Sequence, residues 1–304
     1  MSTATPTGVC VLGMSRSGTS LTARLLRQAG VYLGPDEELL QEDLRQLQGE
    51  GEDVLARARE ANPGGFFEHY RMTRLNERIL RALGGNWREP PPTPPGWQLS
   101  DALLAEREEA QSLIEESFGD RRPWAWKDPR NSLTLPLWQA IVPDMSYVIC
   151  LRNPLDVAAS LQRRDGISPE HGIDLWLIYV ASALVNTSGR PRLLLPYESY
   201  FRDPAEASAR LARFAGCPVD AENGNPPLDG AADERLWRNR TSRIEAARSL
   251  PAEAAAFYLL TEMLASAAPE SGGGGDGDGL HAAVDEYAER VVNRLPVAEG
   301  GPIA

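Results

Sequence analysis

The segment that most constrains this chain is Gly13-Met14-Ser15-Arg16-Ser17-Gly18-Thr19-Ser20, a polar loop bounded by glycine. Before it runs Gly8 to Gly13 (GVCVLG), a short apolar stretch rich in β-formers that reads as a buried strand. After it, Leu21, Leu25, Leu26 and Ala29 mark one face of a helix that stops at Gly30. A strand, loop and helix in this order turn backbone N–H groups and a helix N-terminus onto one point, a geometry that binds anions. The spacing matches the Walker A frame, with Ser20 in the hydroxyl position, but Thr19 stands where that frame requires Lys. The loop's cation is Arg16. An NTPase needs that Lys and a carboxylate on a neighbouring strand for Mg²⁺. Phosphate or sulfate binding is therefore favoured. A P-loop kinase or NTPase-like nucleotide-binding protein is the alternative, with Glu198 as its carboxylate, and a non-catalytic binding protein is the third reading.

Further along, Leu39, Leu40, Leu44 and Leu47 recur at near-helical spacing within the charged stretch 36–60. Asn62-Pro63-Gly64-Gly65 breaks the chain, and Phe66-Phe67-Glu68 opens a new element. Met72, Leu75, Ile79 and Leu83 predict a helix ending at Gly84-Gly85, and 100–118 an acidic helix. The proline-rich stretch 89–96 reads as a stiff loop. Trp124 to Arg130 is a short strand running into a turn. Tyr147–Leu151 and Leu193–Leu195 are further strands, and helices cover 154–164 and 204–215, the first opened by Asn153 and Pro154. Strands alternating with helices predict an α/β fold: a P-loop-type three-layer sandwich whose central, mostly parallel sheet is covered by helices on both faces. The expected organisation is a main domain over 1–268, a Gly/Asp-rich flexible linker over 269–280, and a loosely attached helix and tail over 281–304.

A second constellation is Arg152-Asn153-Pro154-Leu155-Asp156-Val157-Ala158-Ala159-Ser160. Arg152 leaves the end of a strand and Ser160 sits about two turns into the next helix, so guanidinium and hydroxyl suit a second phosphate. Two anion grips at one sheet edge fit a nucleotide phosphorylated at two places.

These motifs resemble those of the sulfotransferase superfamily that uses 3′-phosphoadenosine 5′-phosphosulfate (PAPS), in its bacterial branch. GMSRSGTSLTARLL resembles the 5′-phosphosulfate loop and YVICLRNPLDVAASLQRR the 3′-phosphate motif. WKDPRNSLTLPLW, GFFEHYRMTRLNERIL and PYESYFRDP are similar to companion segments, so the likeness runs from about Gly8 to Arg240. The cytosolic animal enzymes carry Lys in the loop and a catalytic His, whereas Arg16 is the choice of the tyrosylprotein and many bacterial types. No RKG-type segment stands near the C-terminus, which leaves Arg238 and Arg240 as weak candidates for a last grip on the 3′-phosphate.

The resemblance implies sulfuryl transfer from PAPS, with PAP as product, to a hydroxyl, or less favourably an amine, of a small-molecule acceptor such as a secondary metabolite, glycan or lipid. Arg16 would stabilise the transferring group, and Ser17, Gly18, Thr19 and Ser20 would hold the 5′-phosphate. Arg152 and Ser160 would hold the 3′-phosphate. Lys127, flanked by tryptophan, would reach the sulfuryl group from the acceptor side; Asp128 is a candidate partner but reads more readily as structural. Glu68 is the first candidate for the base that takes the acceptor's proton, with Glu37 and His69 as rivals. No metal is required if Arg and Lys supply the charge.

Composition narrows the partners. Lys and Arg number 31 against 43 Asp and Glu, a net charge of −12. Such a surface repels polyanions, so neither nucleic acid nor an anionic membrane is an expected partner; homodimerisation stays open. Cys10, Cys150 and Cys217 show no CxxC spacing and read as buried small hydrophobes, and His69, His171 and His281 form no metal-ligand pattern. The N-terminus lacks a charged and an apolar signal region, and the apolar stretch from Ile173 to Val185 is too short to span a bilayer. A cytoplasmic chain is expected.

Overall fold

The computed structural model describes residues 8–41, 56, 59, 60, 62, 64–218, 237, 239–267 and 276–294. Its centre is a parallel sheet of β1 (Gly8–Leu12), β2 (Ala125–Lys127), β3 (Met145–Leu151) and β4 (Arg192–Pro196), in the order β2-β1-β3-β4. Val9 pairs with Ala125 on one side and Ser146 on the other, and Val148 pairs with Leu193. The α/β three-layer arrangement is as expected from the sequence. Buried on both faces, β1 and β3 read as unbroken apolar runs rather than alternating ones.

Alternation along the strands divides the core. Val9, Val11, Ala125, Val148 and Cys150 pack towards α1 (Thr19–Gln28) and the helix Pro204–Phe214. Cys10, Leu12, Trp124, Trp126, Tyr147 and Ile149 face the larger layer. That layer holds α2 (Tyr70–Ala82), α3 (Leu104–Ser117), α4 (Asn131–Ile141), α5 (Pro154–Asp165) and α6 (Pro169–Asn186). In α5, the Asn153 side chain caps the helix by accepting from the Leu155 amide at 3.0 Å, with Pro154 in the first turn. The apolar stretch from Ile173 to Val185 is the buried middle of α6, and Asp174, its charged residue, faces solvent.

Two elements depart from the sequence reading. The first is α4, a stretch that reading left unassigned; Pro136 sits inside it, and an interior proline removes one backbone bond. The carbonyl four residues earlier, on Ser132, instead accepts from Asn186 Nδ2 of α6 at 3.1 Å. The second difference is at the C-terminus, where, beyond α7 (Pro204–Phe214), α8 (Arg243–Ser249) and α9 (Ala252–Ala267), helix α10 (Asp276–Val292) begins within the expected linker; residues 268–275 lie outside the described residues. Nor is the attachment loose. Val284, Ala288 and Val291 are buried in the main core, Tyr287 stacks on Phe257 at 5.5 Å, and Asp285 pairs with Arg192 of β4 at 2.8 Å. Glycine content suggested a flexible link, but burial of this apolar stripe makes α10 part of the larger layer. Leu44 and Leu47 of the charged stretch also lie outside the described residues.

Candidate active site

Strand order places β1 and β3 side by side while the chain leaves them in opposite directions, so a crevice opens at their carboxyl ends. The loop after β1 enters that crevice by two left-handed turns. Gly13 has φ +124° and Gly18 φ +93°, and a Cβ at Gly18 would lie 2.5 Å from the Tyr197 ring. Between them Arg16 holds φ +75°, an uncommon conformation for a residue with a side chain. The Gly13 amide donates to Ser132 Oγ at 3.0 Å and the Ser17 amide to the Met14 carbonyl at 3.1 Å, which fixes the loop. Helix α1 starts at Thr19 with no side-chain cap and no acid in its first turn. Its first amides are thus left for an anion. Ser17 is fully buried, yet its Oγ has no hydrogen-bond partner among the described residues.

Cations gather at this loop from three elements. Arg152, after β3, donates from Nη1 to the Arg16 carbonyl at 2.9 Å and lies 4.3 Å over the Tyr197 ring. Arg16 donates from Nε to Ser160 Oγ at 2.9 Å. Burial first, then the charges of Arg164 and Arg152, push the Arg16 guanidinium down to about 10. Like charges held together out of water cost stability until an anion joins them. On the far side of β1, Lys127 ends β2 with its side chain 1% exposed. Its Nζ donates to Ser20 Oγ at 3.2 Å and to Glu68 Oε1 at 2.5 Å.

The partner of Lys127 is therefore Glu68 and not Asp128. Asp128 instead accepts from the Arg130 amide and Nη1 at 2.9 and 3.0 Å and from Asn76 at 3.0 Å, bracing the turn that carries Lys127. Of the rival bases, Glu37 is exposed on a short 3-10 helix, Asp36–Glu38, and His69 is buried with Nε2 on Ser117 Oγ at 2.9 Å. Tyr197, which fills the space between Arg152 and Gly18, had no site role legible in the sequence. Nor did the docking of residues 239–241, of which Arg240 alone was a candidate. The Asp156 Oδ1 accepts from the Thr241 amide and hydroxyl at 3.2 and 2.6 Å, and Asn153 Nδ2 donates to the Thr241 carbonyl at 3.0 Å. Arg240 stacks 4.4 Å over Trp237, Trp237 lies on Phe201 at 4.7 Å, and Phe201 meets Tyr197 at 5.1 Å. Aromatic residues at 197, 201 and 237 were the available signal, but nothing local joins the third to the others. Arg238 lies outside the described residues.

Residues 6–221 match the model of the sulfotransferase family. The chain belongs to that family. Among solved structures, the sulfotransferase STF9 from Mycobacterium avium is 15% identical with a TM-score of 0.49, over 89% of this chain and 79% of that one. STF1 from Mycobacterium tuberculosis is 14% identical with a TM-score of 0.42, over 84% and 76%. The sulfotransferase domain from the curacin biosynthetic pathway is 16% identical with a TM-score of 0.41, over 95% and 97%. No curated protein matches the sequence. No helix among the described residues is long and apolar enough to cross a membrane.

The His69 environment of this sulfotransferase has a measurable consequence. Burial, and then the Arg71 charge, hold the ring down at about 4 against an ordinary 6.5. The unfolded chain takes up this proton first as pH falls. The stability from the neutral ring is thus complete above about pH 6.5 and is lost towards pH 4. At about 1.4 kcal/mol per pH unit, the loss is on the order of 3 kcal/mol. Urea unfolding between pH 7.5 and 4 is expected to show this slope, and His69→Gln to flatten it. An identical slope in the variant would assign the titration to another group.

Proposed function

We propose that this sulfotransferase uses PAPS to sulfate a hydroxyl, ahead of an amine, on a small-molecule acceptor. One observation carries the reading: the Arg152 guanidinium closes on the Arg16 carbonyl where the chain leaves adjacent strands, beside a buried Ser17 hydroxyl that has no partner among the described residues. Those groups, with the uncapped start of α1, fit a nucleotide bearing anions at two positions. PAPS supplies an activated sulfuryl group whose S–O bond to the 5′-phosphate breaks as the bond to the acceptor oxygen forms.

Each residue then has a task. Ser17, Gly18, Thr19 and Ser20 hold the 5′-phosphate, and Arg152 with Ser160 holds the 3′-phosphate. Arg16 steadies charge on the transferring group and the bridging oxygen. Lys127 reaches the same group from the acceptor side. Glu68, brought to Lys127 by their ion pair, accepts the acceptor's proton. Arg16, Lys127 and Arg152 supply the positive charge, so turnover without Mg²⁺ is expected. The main domain and α10 are read as one catalytic unit.

A thermal-shift comparison tests this. PAP without Mg²⁺, at about a hundred times its Kd, stabilises by about 2.7 kcal/mol, an upward move in Tm of about 5 °C for a chain of this size. A larger shift with ATP and Mg²⁺ than with PAP would favour the kinase or NTPase alternative and overturn the proposal. PAP binding with no sulfation of any acceptor, read by mass, would favour the non-catalytic reading.

A further inference from the structure

We infer that the acceptor side of this site is built for an anion, so that the acceptor carries a carboxylate or phosphate near the hydroxyl it offers. The inference rests on the sulfuryl-transfer reading above and adds the chemical class of the acceptor.

Helix α5 has a cation before its first turn, Arg152, and another in its last, Arg164, with Ser160 between them holding Arg16 Nε at 2.9 Å. Arg164 follows Ser160 by four residues, which puts the two on one face of the helix, about 5–6 Å apart at Cβ. The influence of Arg164 is felt at Arg16, whose guanidinium it pushes down more strongly than Arg152 does. Three guanidiniums therefore share one edge of the site. On the sulfuryl-transfer reading the 3′-phosphate takes Arg152 with Ser160 and the transferring group takes Arg16, which leaves Arg164 with no part in holding the nucleotide.

Arg164 has a setting of its own. Its Cζ lies 6.0 Å from the Trp87 ring, and that of Arg88 lies 4.9 Å from the same ring. Among the described residues their ion pairs run to one carboxylate, Asp165, at 2.6 Å from Arg164 Nε and 3.8 Å from Arg88 Nη2. Two cations sharing one acid leave one positive charge over. The Arg164 side chain is only 22% exposed, while that of Arg88 is 48% exposed. The loop bearing Trp87 and Arg88 is also tied to α6: Tyr179 donates to the Trp87 carbonyl at 2.9 Å, and His171 Nε2 meets the Arg88 carbonyl at 2.9 Å. A surplus cation, partly desolvated and held on a braced loop and a helix, is preorganised for an anionic partner.

Calorimetric titration of the protein–PAP complex with matched probes tests the inference. One arm compares 4-hydroxybenzoate with its methyl ester, the other glycerol phosphate with glycerol. At least one anion is expected to bind tenfold or more tightly than its neutral counterpart, and the stronger arm names the group. Arg164→Gln and Arg88→Gln are expected to remove that preference while the Kd for PAP moves less than threefold. Equal binding of neutral and anionic probes, no saturable binding of either anion, or a preference that survives Arg164→Gln would overturn it. So would a loss of PAP affinity in Arg164→Gln as large as the loss for the anion, since Arg164 would then serve the nucleotide. Failure of the wild-type protein to bind PAP, seen before any probe is added, would instead strike the sulfuryl-transfer reading and this inference with it.

Discussion

Arg16→Ala is expected to lower kcat/KM for sulfation by about 10²–10³, the usual loss when one preorganised charge-stabilising donor is removed, without lowering the Tm of the nucleotide-free protein. The two halves of this result have one cause. Arg16 is held beside Arg152 and Arg164 in a buried position, and its guanidinium is pushed down to about 10. The folded state therefore carries a charge it would rather not hold. Removing it relieves that repulsion, although the bond to Ser160 is lost. Sites built to stabilise developing charge commonly trade stability for activity in this way. Arg16→Lys keeps the charge but loses the fork that reaches Ser160, and is expected to fall between wild type and Ala. Activity within fivefold of wild type in Arg16→Ala would remove Arg16 from the transfer step. A Tm several degrees lower would show that the loop needs the side chain for folding.

The Lys127–Glu68 pair yields the second large effect. Lys127 is 1% and Glu68 12% exposed at the side chain, and their atoms are 2.5 Å apart. Glu68→Gln leaves the ammonium buried without a compensating charge, which typically costs about 3–5 kcal/mol. The same substitution is expected to slow turnover by about 10²–10⁴, the usual contribution of a positioned base. A double variant separates the two roles. Lys127→Met combined with Glu68→Gln removes the stranded charge, so most of the lost Tm returns, while turnover stays low because base and cation are both gone. If activity returns together with stability, Glu68 acts only as the counter-ion of Lys127. If the single variant unfolds no more readily than wild type, the pair is hydrated more than its burial indicates.

How much of this was legible in the sequence depends on how far apart the cooperating residues lie. The loop from Gly13 to Ser20 could be read because its parts are contiguous: a strand, two glycines and a helix start announce themselves locally. The cap of α5 was equally local, with Asn153, Pro154 and the Leu155 amide in sequence. Helix α4 was not legible. Pro136 signals a break, and only Asn186 on another helix supplies a donor for the carbonyl that proline deprives of one. For α10 the glycine run pointed to a flexible link, whereas burial of Val284, Ala288 and Val291 decided the outcome. Asp128 reads as structural from the sequence and does brace Arg130, but the partner of Lys127, Glu68, lies 59 residues away and carries no local signal. Tyr197 had no legible role because that role depends on touching Gly18 and Arg152, both distant in the chain.

The sequence by itself determined the α/β class, the strand–loop–helix turn from Gly13 to Ser20, the place of Arg152 at a strand end and the family resemblance. These rest on short-range rules: strand and helix periodicity, capping, and glycine where the backbone must turn left-handed. Tertiary structure alone decided which charges meet. Arg16 reaches Ser160 across 144 residues and Lys127 reaches Glu68 across 59. Coulomb and hydrogen-bond energies act over a few ångströms of space and take no account of distance along the chain, so side chains such as these become a site only once the sheet has brought its strand ends together.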